Sequence, residues 1–150
     1  MEAIMCGIAG FIDYFEKREN KEEIIEKMID TLKFRGPNTN GKFLDTFASL
    51  GHTRLAVVDV KNGLQPMIKY KGKKKYSIVY NGELYNTKEL RDDLVEKGYV
   101  FQTNCDTEVL LTAYIEYGYK CPEKLNGIFA FAIWDGEELY LARDRFGVKP

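Results

Sequence analysis

Apolar positions change period several times along this chain, and each change marks an element. Residues 6–13 form a short apolar run broken by Gly7 and Gly10, which predicts a core strand buried on both faces, with room for another backbone to come close. Between residues 21 and 33, Ile24, Ile25, Met28, Ile29 and Leu32 recur at helical spacing, and Arg35-Gly36-Pro37-Asn38 supplies the stop. The β-rich runs 43–50 and 54–60 meet at Gly51-His52, while 67–70 and 76–80 flank a lysine-rich turn. A run of hairpins is the simplest reading. Helical spacing returns after Asn81-Gly82, with Thr87 as the expected N-cap, Glu89 and Leu90 in the first turn, Leu94 and Val95 on one face and Gly98 as the stop. A further helix is predicted over residues 107–117, packing through Val109, Leu110, Ala113 and Tyr114 and ending at Gly118. Strands at 127–134 and 139–143 close the series around the two-residue turn Asp135-Gly136. Sheets packed on one another with helices outside account for this order.

At 150 residues one domain is expected. The 22 basic and 23 acidic residues leave a net charge of −1, which argues against the salt-dependent phosphate contacts of a nucleic-acid partner. The five lysines between residues 69 and 75 read as a solvated hairpin tip. Three cysteines, Cys6, Cys105 and Cys121, are an odd number without metal-like spacing, so a reducing, cytoplasmic setting fits best. Nothing in the chain approaches the length of a membrane span, and the first residues lack the basic start of a signal peptide.

Chemistry narrows next. His52 is the only histidine, so a Cys-His or Ser-His site would rest entirely on it, and no zinc set can be assembled from it and the scattered cysteines. A cysteine nucleophile still needs a base. The unusual base on offer is an α-amino group, with an ordinary pKa of about 7.7 to 8.0, and that option requires the cysteine to be the first residue of the mature chain.

Eight strings stand in fixed order: Cys6-Gly-Ile-Ala-Gly-Phe11, Arg35-Gly-Pro37, Gly51-His-Thr-Arg-Leu-Ala-Val-Val-Asp59, Gln65-Pro-Met67, Asn81-Gly-Glu-Leu-Tyr-Asn86, Asp106-Thr-Glu108, Phe129-Ala-Phe-Ala-Ile-Trp-Asp135 and Ala142-Arg-Asp-Arg-Phe-Gly-Val-Lys-Pro150. Together they resemble the class II glutamine amidotransferase domain, in the version fused to asparagine synthetases. The resemblance implies an α+β fold, the four-layer αββα sandwich of N-terminal nucleophile hydrolases, cut short at its C-terminal end. It implies Cys6 as nucleophile toward the side-chain amide of glutamine, with the Asn81 side chain and the Gly82 N–H as oxyanion donors. Arg54 is then placed on the substrate carboxylate, Asp106 with Glu83 on its ammonium, and the backbone of Leu55, Ala56, Val57 and Val58 along the pocket. Each assignment has a plainer rival: Arg54 as a strand arginine, Asn81-Gly82 as a hairpin turn, Asp106 as a helix N-cap. Tyr80, Tyr85, Phe129, Phe131 and Trp134 read as core rather than as a ligand platform.

Two departures accompany the resemblance. Residues 1–5 precede Cys6 and read as a leader or a mis-assigned start, since an acylated Cys6 nitrogen is no base; the domain proper is 6–150. Asn38 and Cys105 stand where the family commonly has Asp and Ser. The implied function is release of ammonia from glutamine for ATP-dependent conversion of aspartate to asparagine. No cofactor is expected in this domain, and ATP and Mg²⁺ are expected in a C-terminal synthetase domain. Glutamine and that domain are the expected partners, a homodimer is allowed, and neither nucleic acid nor membrane is expected. The alternatives are a class II amidotransferase with another acceptor and a non-catalytic glutamine-binding module.

Overall fold

The computed structural model describes residues 5–55 and 63–150. In chain order the elements are β1 (Gly7–Ile12), α1 (Lys21–Thr31), β2 (Thr39–Leu44), β3 (Ala48–Arg54), β4 (Met67–Lys71), β5 (Lys74–Leu84), α2 (Thr87–Glu96), α3 (Asp106–Tyr117), a 3-10 helix (Gly118–Lys124), β6 (Gly127–Trp134) and β7 (Leu139–Arg143). Two antiparallel sheets result, in spatial order β1-β3-β2 and β4-β5-β6-β7.

The period of two along the central strands sets the layers. In β5 and β6 the positions Ile78, Tyr80, Leu84, Phe129, Phe131 and Ile133 pack with Leu94, Val109 and Leu110 of the helices. The intervening positions Val79, Ala132 and Trp134 face the other sheet and meet Phe43, Ala48 and Leu50 there. α1 covers the far face of the first sheet, with Ile25 and Ile29 buried over Gly51. The stack of α1, first sheet, second sheet and α2–α3 is the expected four-layer αββα sandwich. Burying each large side chain in it is worth about 1.5 to 3 kcal/mol, and Trp134 adds an Nε1–H donated to Asp45 Oδ2 at 2.8 Å.

Several sequence expectations are corrected. Gly51-His52 is no turn but the middle of β3; the chain reverses at residues 45–47, where Asp45 N donates to Ala48 O at 2.8 Å. Glycine is needed at 51 because a Cβ there would stand 2.6 Å from Ile29 Cγ1. Asn81-Gly82 is likewise strand, inside β5. β1, expected to be buried on both faces, is only partly buried and lies at the edge of its sheet beside β3. Thr87 is the first helical residue after the cap Asn86, and its hydroxyl donates to Leu84 O at 2.8 Å. Cys105, in extended conformation, caps α3, so Asp106 is not the cap. Tyr85 is exposed, whereas Tyr80, Phe129, Phe131 and Trp134 are buried. The lysine run does form a hairpin tip around Gly72, yet Lys69 reaches Glu108 Oε1 at 2.8 Å and Lys74 reaches Asp135 Oδ2 at 2.6 Å.

Candidate active site

A cavity of about 260 Å³ opens where β1 begins and β3 and β5 end, near the start of α3. Cys6 enters it from the residue before β1, with Sγ accepting the Leu55 N–H at 3.3 Å. That donor accommodates negative charge as it develops on sulfur. Gly7 directly behind it must be glycine, because a Cβ would stand 2.6 Å from Thr53 Oγ1, the acceptor of the Gly7 N–H. Arg54, 5% exposed, lies on the same strand face as Leu50 and His52, and lines the wall.

β5 supplies the opposite wall through its alternation. The N–H groups of residues 80, 82 and 84 all point to the edge that β4 leaves uncovered: that of Tyr80 donates to Gln65 Oε1 at 2.6 Å and that of Leu84 to Asp106 Oδ2 at 3.3 Å. Between them the Gly82 N–H faces the cavity and meets no acceptor among the described residues. A Cβ at 82 would lie 2.3 Å from Ile128 O, so only glycine lets β5 and β6 approach this closely. The Asn81 side chain points to the inter-sheet side, is 4% exposed, lines the cavity and has no hydrogen-bond partner among the described residues. Two uncharged donors thus converge beside a thiol, a geometry suited to an oxyanion formed by thiol attack on a carbonyl.

Asp106 opens α3 at the far wall. Burial holds its carboxyl above the usual carboxylate range, against the lowering effect of the Tyr80 hydroxyl at 2.9 Å and the Leu84 N–H. A partly desolvated anion with neutral donors is completed by a cation. Glu108, two residues on, fixes the loop that leads into α3. It accepts Thr103 N at 2.7 Å, Thr103 Oγ1 at 2.8 Å and Gln102 N at 3.0 Å, besides Lys69.

His52 sits behind the site, fully buried, with Nε2 3.2 Å from Tyr80 O. Burial lowers its pKa from 6.5 to about 4, partly opposed by that hydrogen bond. The unfolded chain therefore takes up a proton below about pH 6.5 that the folded one refuses until about pH 4, so stability falls as pH drops through that window. At about 1.36 kcal/mol per pH unit the loss is on the order of 3 kcal/mol. Urea unfolding at intervals from pH 7 to pH 4 is expected to show it, and His52→Asn to flatten this limb; an unchanged slope in the variant would assign the loss to other groups.

All described residues of the expected site line this one cavity: Cys6, Arg54, Leu55, Asn81, Gly82, Glu83 and Asp106. Ala56, Val57 and Val58 lie outside the described residues, as do Met1 to Ile4. The sequence did not mark Gln65, Tyr80 or Lys149 as lining. Gln65 belonged to one of the eight strings but had no role, and Tyr80 was hidden among core aromatics. Among the described residues no group of three or more His, Cys, Asp or Glu could hold a metal ion, and no helix is long and apolar enough to cross a membrane.

Residues 5–150 match the family model described as a glutamine amidotransferase domain. The chain is 48% identical over 149 residues to asparagine synthetase [glutamine-hydrolyzing] 3 of Bacillus subtilis, covering 97% of this chain and 24% of that one. To asparagine synthetase B [glutamine-hydrolyzing] of Escherichia coli it is 37% identical over 151 residues, covering 97% and 26%. It thus spans about a quarter of the length of these relatives. Among solved structures, the glutamine phosphoribosylpyrophosphate amidotransferase from B. subtilis complexed with ADP and GMP matches with a TM-score of 0.60 and 28% identity, over 71% of this chain and 25% of that one.

Proposed function

Because this chain belongs to the glutamine amidotransferase domain family, we propose that its cavity hydrolyses the side-chain amide of glutamine, with Cys6 as nucleophile. The observation that carries the reading is the convergence of the Cys6 thiol with two donors unengaged among the described residues, the Asn81 amide and the Gly82 N–H, in a cavity that also holds Arg54 and Asp106. Sγ bonds to the amide carbon, and the carbonyl oxygen takes up negative charge between Asn81 and Gly82. Collapse expels ammonia, which carries the proton delivered to the leaving nitrogen, and leaves a glutamyl thioester. Water adds to the thioester and glutamate departs, restoring the thiol. The α-amino group of a chain that begins at Cys6 shuttles the proton.

Arg54 takes the α-carboxylate through its planar fork of donors, and Asp106, with Glu83 at the rim, takes the α-ammonium. Arg54→Ala is expected to raise KM for glutamine by about 10- to 150-fold, the equivalent of a charge-assisted contact worth roughly 1.5 to 3 kcal/mol. Steady-state glutaminase assays measure this, and an unchanged KM would return Arg54 to an ordinary strand residue.

In the full natural chain we assign the ammonia to the ATP-dependent conversion of aspartate to asparagine in a synthetase domain, with Mg²⁺ bound there. The names of the relatives support this acceptor. Assay of the natural chain with aspartate, ATP, Mg²⁺ and glutamine tests it: asparagine should form, and glutamate release with no asparagine would point to another acceptor. Three free cysteines, one of them the nucleophile, accord with a reducing cytoplasm. A second reading, a glutamine-binding module without turnover, is favoured by one observation: Met5 lines the cavity, its sulfur 3.1 Å from Lys149 Nζ.

A further inference from the structure

Tyr80 is held at three points, and each leads to a different part of the site. Its N–H donates to Gln65 Oε1 at 2.6 Å, its carbonyl lies 3.2 Å from His52 Nε2, and its hydroxyl donates to Asp106 Oδ2 at 2.9 Å. The next two residues are the donors Asn81 and Gly82. The ring is 2% exposed and belongs to the core under α3, while its hydroxyl meets Asp106, a fellow lining residue of the cavity. A phenylalanine would fill that core equally well. The hydroxyl therefore needs a reason of its own, and its partner is the carboxylate that faces the cavity from the first turn of α3.

We propose that the Tyr80 hydroxyl is a positioning group for Asp106: by occupying Oδ2 together with the Leu84 N–H, it fixes the carboxylate plane so that Oδ1 is presented to the substrate's α-ammonium. This rests on the reading of Asp106 given above. Two donors on one oxygen, with the N–H groups of Asp106 and Thr107 also bearing on the carboxyl, hold its plane and orient the other oxygen relative to β5, the strand that carries Asn81 and Gly82. The distance between the ammonium subsite and the oxyanion subsite is thereby set by one side chain. Amino acids bearing both groups at the glutamine spacing gain from this, and a substrate without the amine gains nothing. Selection for the α-amino group is the property that Tyr80 controls.

The test compares glutamine with its desamino analogue, 4-carbamoylbutanoate, as substrates of the full natural chain, in wild type, Tyr80→Phe and Asp106→Asn. In Tyr80→Phe, KM for glutamine should rise about 10-fold with kcat within two-fold, while kcat/KM for the analogue stays at the wild-type value. The preference for glutamine then falls toward that of Asp106→Asn. Tyr80→Phe with wild-type preference, or with both substrates impaired alike, would overturn the proposal, the second outcome marking a general distortion of β5. Wild-type preference in Asp106→Asn would instead sink the ammonium reading of Asp106, and the proposal with it. Site-specific 3-fluorotyrosine at position 80 keeps the ring and provides a more acidic donor, so it reports even where the phenylalanine variant does not fold. The preference should hold or increase, and a decrease would count against a positioning role.

Discussion

Cys6→Ala in the full natural chain is expected to remove glutamine hydrolysis, by about 10⁴-fold or more, while ammonia-dependent synthesis continues. The size follows from what the thiol does. Without Sγ no thioester forms, and the amide must be attacked by water with only the oxyanion donors to help, the situation in which loss of a nucleophile costs most of the rate enhancement. The pocket should survive, because Cys6 contributes only a small side chain at the cavity wall, whose one hydrogen-bond partner among the described residues is the backbone of Leu55. Glutamine should therefore still raise the thermal midpoint of the variant through Arg54 and Asp106, as any ligand that binds only the folded state does. Glutamate release and asparagine formation are measured side by side, with glutamine or ammonium chloride as nitrogen source. Loss of both activities in a variant that still unfolds cooperatively would contradict the division of labour, and retention of hydrolysis would remove Cys6 from the mechanism.

Much of the fold was legible because periodicity survives burial. Residues 127–134, 139–143 and the two helices that end before Gly98 and Gly118 stand where their patterns placed them. What failed was the meaning of glycine. Gly51 and Gly82 sit beside polar residues and read locally as turns, but each marks a place where another element comes within van der Waals contact of the strand, Ile29 in one case and Ile128 in the other. Nothing in a local window distinguishes a glycine that bends the chain from one that lets a neighbour approach. The candidate site was legible only through the ordered strings. Its supporting hydrogen bonds, Tyr80 to Asp106 and Glu108 to the loop ahead of α3, join residues whose side chains look like ordinary core or helix-surface choices in sequence.

The amine-as-base mechanism makes the sharpest demand on the residues before Cys6. With Met5 attached, the Cys6 nitrogen is an amide that cannot take a proton near neutral pH, and general-base assistance of about 10² to 10⁴-fold is absent. Geometry adds to this. Met5 occupies the wall next to Cys6, and its sulfur engages Lys149, another lining residue, so Met5 takes up room that a substrate would need. A natural chain that retains residues 1–5 is accordingly expected to show no measurable glutaminase activity and to resist labelling of Cys6 by a glutamine-like electrophile. A chain initiated at Met5 and trimmed by methionine aminopeptidase should hydrolyse glutamine and label at Cys6. The only imidazole in the sequence, that of His52, cannot stand in, since it is fully buried with its Nε2 committed to Tyr80 O. Intact-mass spectrometry fixes the N-terminus of each preparation before assay. Equal rates from the two, with residues 1–5 still attached in the longer chain, would mean that the proton is moved by a group other than the α-amine.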